Sequence, residues 1–142
     1  MGFVFGFDLH GERIGTIRIV PLGCGLTLTD TLLEQVGTAG PSVRSGDWEV
    51  GRLVLAPEYR SDVDALRRCL HLALEYAREH AQVDRLFAAC THVLSRLYRR
   101  FGFTAFARDV PLHGTAKLYT MISGDGDVVE RALSGRPAAQ AQ

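Results

Sequence analysis

One carboxylate and one guanidinium, Glu49 and Arg52, interrupt the otherwise apolar run Trp48-Glu49-Val50-Gly51-Arg52-Leu53-Val54-Leu55. A second guanidinium, Arg18, interrupts Ile14-Gly15-Thr16-Ile17-Arg18-Ile19-Val20. The interior of a half-buried strand is a costly place for a charge. Two readings of the three residues are open. Glu49 can pair with Arg52 or Arg18 across neighbouring strands, or the carboxylate can take protons while an arginine fork grips an anionic substrate. Cys90 closes an apolar run without a basic neighbour, so an inert, protonated thiol is expected there rather than a nucleophile. His10, His71, His80, His92 and His113 lack ligand spacing, and no metal site is expected.

The elements that must carry these residues follow from hydrophobic period. Phe3–Leu9 and Ile14–Val20 alternate, and the polar turn His10-Gly11-Glu12-Arg13 joins them as an antiparallel hairpin. Residues 22–47 read as a loop with a helical piece around 31–36. Trp48–Leu55 is the third strand. From Ser61, the expected N-cap, the period becomes helical, with Val63, Leu66, Leu70, Ala73, Leu74 and Ala77 on one stripe. A fourth strand over 84–90, a helix over 92–101 stopped by Gly102, strands near 103–110 and 115–122, and a short helix near 127–133 complete the order. The strand–helix–strand unit across 48–90 requires a parallel pair, and the flanking hairpins are antiparallel. The expected architecture is therefore α/β: one domain, residues 1–134, with a mixed sheet and helices on both faces. Residues 135–142 are expected to be a disordered tail.

The chain has 142 residues, enough for one core and too few for two. Sixteen Lys and Arg balance sixteen Asp and Glu, which speaks against nucleic-acid binding by bulk charge. No apolar stretch reaches the roughly 20 residues of a membrane helix, and no signal peptide is evident. Three cysteines without a CxxC pair fit a reducing, cytoplasmic setting.

With Leu97-Tyr98-Arg99-Arg100-Phe101-Gly102-Phe103, this order resembles the GNAT acyltransferase superfamily. Gly15-Thr16-Ile17-Arg18-Ile19-Val20-Pro21, Leu28-Thr29-Asp30 through Leu33, and Glu49-Val50-Gly51-Arg52 are more specific. Together with Cys90-Thr91-His92 and Tyr98-Arg99-Arg100, they are similar to segments of the long-chain N-acyl amino acid synthases and acyl-homoserine-lactone (autoinducer) synthases. The set spans roughly residues 12–103. Relative to that family, the strand and helix region preceding the Gly-x-x-Arg strand looks shortened. A partner subunit in a homodimer could then complete the acceptor pocket.

The resemblance implies acyl transfer to an amine, in which Glu49 would be the base and Tyr98 would protonate the departing thiolate. A Tyr ring that merely fills the core is the alternative for Tyr98. Arg18 and Arg52 would bind the acceptor's carboxylate or lactone-forming end. Backbone N–H groups near Val54 and Leu55, on a splayed strand, would hold the oxyanion. Thr91 and His92 would lie at the mouth of the site. Phe87, Phe101, Phe103 and Phe106 would line an acyl tunnel or simply fill core.

The Gly-rich turn that cradles diphosphate in CoA-dependent relatives is replaced by Arg60-Ser61-Asp62-Val63-Asp64-Ala65. Two aspartates there disfavour a diphosphate. The implied donor is an acyl thioester on the phosphopantetheine of an acyl carrier protein, in preference to acyl-CoA, docking on Arg99 and Arg100. No permanently bound cofactor is implied. The reading is an N-acyltransferase moving a fatty acyl group to an amino acid or related small amine. The alternatives are a non-catalytic acyl-binding or regulatory domain of this fold and a conventional acetyl-CoA-dependent N-acetyltransferase.

Overall fold

The computed structural model describes residues 2–25 and 27–135. The expected disordered tail therefore falls almost wholly outside the described residues. Six strands form one mixed sheet in the order β1-β2-β3-β4-β6-β5. β1 (Phe3–Leu9) and β2 (Glu12–Pro21) form the expected hairpin. His10 and Gly11 turn it with φ of 52° and 82°, the left-handed pair that suits the twist of the flanking strands. α1 (Leu28–Val36) occupies the long connection to β3 (Asp47–Leu55). α2 (Val63–His80) then crosses to β4 (Arg85–Cys90), which pairs parallel with β3. α3 (His92–Tyr98) tightens into a 3₁₀ turn and stops at Gly102. β5 (Thr104–Pro111), β6 (Leu118–Asp125) and α4 (Gly126–Leu133) close the chain.

Alternation along the strands sends side chains into two cores. Ile17, Ile19, Trp48, Val50, Leu86, Ala88 and Ile122 meet α2, α4 and the end of α3. On the opposite face, Val110 and Met121 meet Leu32 and Leu33 of α1. The helices thus cover both faces, as expected of a mixed sheet that carries a parallel crossover.

Two local expectations change. Asp62, not Ser61, caps α2, its carboxylate accepting the Ala65 N–H at 3.0 Å. Both residue types cap helices, and the chain enters the helix one residue later than the hydrophobic period alone indicates. Val63 consequently lies near the solvent end of the stripe, 36% exposed, and Cys69 takes a buried place beside Leu66 and Leu70.

Candidate active site

Glu49 is 3% exposed and lies on the α1 side of the sheet. Its Oε2 accepts the backbone N–H of Thr29 at 2.8 Å. Its Oε1 lies 3.9 Å from Arg18 Nη2, an ion pair rather than a hydrogen bond. Thr29 can reach it because α1 begins one residue earlier, at Leu28. Thr27 caps that helix: its hydroxyl accepts the Asp30 N–H and donates back to the Asp30 carboxylate, at 2.9 and 3.0 Å. The reciprocal cap leaves the second N–H of the helix free to grip a carboxylate across the sheet. Gly51 keeps that carboxylate in place, since a Cβ at Gly51 would stand 2.8 Å from Glu49 Oε1.

β3 is irregular immediately beyond Glu49. Arg18 pairs with Gly51 and Thr16 with Val54, so three steps on β3 oppose two on β2. The extra residue falls at Arg52, whose φ is +50°. This β-bulge is why a charged residue appears in an apolar strand: Val50, Leu53 and Leu55 all face the larger core, and Arg52 is exposed. Of the two arginines expected as partners of Glu49, Arg18 is the one at ion-pair distance, and no Glu49–Arg52 ion pair occurs among the described residues.

The bulge coincides with a parting of the sheet. β3 and β4 pair only from Asp47/Arg85 to Glu49/Phe87, yet β3 runs on to Leu55 and β4 continues to pair with β6 as far as Cys90. Ala56 N–H donates to Ile14 carbonyl, at the end of the register that pairs Gly15 with Leu55 and Thr16 with Val54. Antiparallel ladders alternate, so Val54 directs its N–H to β2 and Leu55 directs its N–H into the gap. Of the two expected oxyanion donors, Leu55 is the one aimed at the opening. Arg60 Nε donates to the Leu55 carbonyl at 3.3 Å.

Tyr98 is buried in the larger core, its ring edge-on to Phe103 at 5.1 Å between centroids. Burial, with Cys90 nearby, pushes its phenol well above the usual range, so it stays protonated at neutral pH.

Residues 2–121 match the family model described as "FeeM: N-acyl amino acid synthase FeeM". The chain belongs to this family. It is an acyltransferase. Its fold is similar to that of the acyl-homoserine-lactone synthase LasI, with a TM-score of 0.74 at 14% identity over 99% of this chain and 73% of that one. The CoA-dependent acyl-homoserine lactone synthase BjaI, solved with SAM and isopentyl-CoA, gives 0.63 at 14% identity over 95% of this chain and 65% of that one. The IAA acetyltransferase from Bacillus cereus gives 0.58 at 14% identity, over 87% and 77%. No individual curated protein sequence matches the chain.

The remaining expected residues of this FeeM-family synthase fall in several places. Thr91 caps α3, its hydroxyl accepting the Leu94 N–H at 3.2 Å, and His92 follows it as the first, exposed residue of that helix. Arg99 and Arg100 are exposed in the 3₁₀ turn after α3. Arg67, by contrast, is engaged by Asp64 and the Leu133 carbonyl. The four phenylalanines do not share one wall. Phe87 and Phe106 meet edge-on at 6.0 Å, and Phe106 packs on the α1-side core, whereas Phe101 and Phe103 belong to the larger core. No cluster of metal-ligating side chains occurs among the described residues. No described helix is long and apolar enough to cross a membrane.

Two contributors went unseen in the sequence. Thr29 is one, and the Thr27-x-x-Asp30 capping spacing was the signal that places its N–H at a helix start. Asp47 and Arg85 are the other: they form a bidentate pair at 2.8 and 2.6 Å where β3 and β4 first meet. No spacing rule joins residues 38 apart.

Burial raises the Cys90 thiol to about 11 and pushes Cys69 upward as well, whereas Cys24 is exposed. Iodoacetamide on the folded protein at neutral pH is expected to alkylate Cys24 alone, as read by intact mass and peptide mapping. Rapid labelling of Cys90 would show that its pocket opens. The unfolded Cys90 thiol ionises first as pH rises past its ordinary value of 9.0. Its burial therefore favours the folded state less and less between there and about 11.

Proposed function

We propose that this protein transfers a fatty acyl group from the phosphopantetheine arm of an acyl carrier protein to the amine of an amino acid. The observation that carries the reading is Glu49, buried and held between the Thr29 N–H and Arg18 at the point where the sheet parts. The amine nitrogen attacks the thioester carbonyl, forming the C–N bond, and Glu49 takes the surplus nitrogen proton directly or through a water. The Leu55 N–H steadies the oxyanion. The C–S bond breaks, the thiolate takes the Tyr98 proton, and the proton held by Glu49 returns through water to Tyr98, restoring both groups. Arg18 holds the acceptor's carboxylate, with Arg52 available to it at the bulge. Thr91 and His92 flank the mouth. Phe87, Phe106 and Met121, on the Glu49 face, supply apolar wall for the acyl chain.

The donor assignment rests on α2. The Asp62 carboxylate already occupies a helix-start N–H and Asp64 adds charge in the first turn, so a diphosphate would meet two anions there. Arg99 and Arg100 offer exposed positive charge to an acidic carrier.

Purified protein incubated with long-chain acyl carrier protein or acyl-CoA, a mixture of amino acids, and S-adenosylmethionine is the test, read by mass spectrometry. An N-acyl amino acid made from the carrier-bound donor is the expected product. Product from acyl-CoA alone would overturn the donor assignment, and no product from either would overturn the site. Tyr98→Phe is expected to lower kcat at least ~10-fold with Tm little changed. An unaltered kcat would leave Tyr98 a core residue only.

A further inference from the structure

Among the described residues, two buried side-chain polar atoms have no hydrogen-bond partner, Arg18 Nε and Thr29 Oγ1. They belong to the two residues that hold Glu49, one through its guanidinium and one through its backbone N–H. Buried polar groups are almost always bonded, so two orphans on the two residues that hold one carboxylate point to a polar group that completes the site. Thr29 is wholly buried, and covalent geometry keeps its Oγ1 within about 4 Å of the same N–H that grips Glu49. Arg18 Nη2, at 3.9 Å from Glu49 Oε1, is beyond hydrogen-bond reach of that carboxylate, so Glu49 does not use up the donors of the guanidinium. A guanidinium N–H only donates, and a hydroxyl donates as readily as it accepts. The shared preference is therefore for an oxygen acceptor carrying negative charge.

We propose that the Thr29 hydroxyl is a specificity-determining group that, with Arg18 Nε, binds a carboxylate oxygen of the acceptor and selects α-amino acids over amines lacking that carboxylate. The assignment rests on the acyl-transfer reading above for its substrate and adds a residue to it. The α-carboxylate and the amine of an amino acid are two bonds apart, so the Thr29–Arg18 donors fix the amine beside Glu49. Loss of one hydrogen bond to a charged oxygen weakens binding by roughly 10- to 100-fold.

The test compares wild type, Thr29→Val and Thr29→Ser. Thr29→Val keeps the backbone N–H on Glu49 and the side-chain shape, and removes only the hydroxyl. With the amino acid that the wild type acylates fastest, KM is expected to rise at least ~10-fold in Thr29→Val and to recover in Thr29→Ser. The decarboxylated amine of the same amino acid is expected to show no change. Tm should be unchanged or higher, because no bond within the protein is lost. An equal loss with both acceptors, or a fall in Tm with KM intact, would overturn the proposal, the latter marking a hydroxyl that serves only a buried water. Calorimetric titration of individual amino acids into the donor-free protein reads the same contact without turnover. Thr29-dependent binding in a protein that acylates nothing would sink the acyl-transfer reading and leave this assignment standing. No binding of any amino acid to the wild type would overturn it outright.

Discussion

Replacing Glu49 by Gln is expected to lower N-acyl product formation at neutral pH by at least ~100-fold. The amide is nearly isosteric, and its oxygen still accepts the Thr29 N–H that Glu49 Oε2 accepts at 2.8 Å. What it loses is the capacity to take a proton and the attraction to Arg18, whose Nη2 lies 3.9 Å away. A structural ion pair predicts the opposite division, with little change in turnover and a loss of stability. Initial rates by mass spectrometry, together with thermal unfolding by circular dichroism, separate the two. Undiminished turnover would remove Glu49 from the chemistry. A collapse in both quantities would show that the carboxylate's main task is to join α1 to the sheet.

The second large effect concerns stability. Asp47 is almost fully buried, accepts two hydrogen bonds from Arg85, and accepts a third from the Arg44 N–H at 2.7 Å. Asp47→Ala leaves the Arg85 guanidinium without its carboxylate and the Arg44 N–H without its acceptor. Breaking a buried pair on one side costs about 3–5 kcal/mol, and the low end applies because Arg85 is a quarter exposed. At about 3 kcal/mol, Tm falls by roughly 10 °C. Asp47→Asn, which keeps an acceptor oxygen, is expected to lose less than half as much. A shift below about 2 °C for Asp47→Ala would mean that the three β3–β4 residue pairs hold without this brace.

Much of this was legible from local signals. The β1–β2 hairpin, the α2 stripe and the Gly102 stop each rest on residues within a few positions of one another, and each formed close to its expected bounds. The charged residues Arg18, Glu49 and Arg52 also stood out, because apolar strands make charge conspicuous. The bulge at Arg52 was not legible. A non-glycine residue at positive φ is forced by its neighbours on β2, and nothing in Val50-Gly51-Arg52-Leu53 announces which residue will be extra. That one residue decides which arginine meets Glu49. The grip of Thr29 on Glu49 and the Asp47–Arg85 pair depend in the same way on elements brought together by packing. The division of the phenylalanines between two cores was hidden for a different reason. Phe101 and Phe103 precede β5, where strand parity does not apply, and a register shift between Ala105 and Ala107 resets the parity around Phe106.

Three residue pairs make up the whole β3–β4 ladder among the described residues, and the larger core bridges the two halves of the sheet beneath it. Beyond that short seam the opening has one backbone edge of β3 on one side and one of β4 on the other. A thioester arm lying there would act as a wedge of the right polarity, offering amides to both edges. Bound donor would therefore extend the pairing across the opening, protecting backbone groups that the short seam leaves unpaired. Slowed exchange of the Leu55 amide would be the local sign of it.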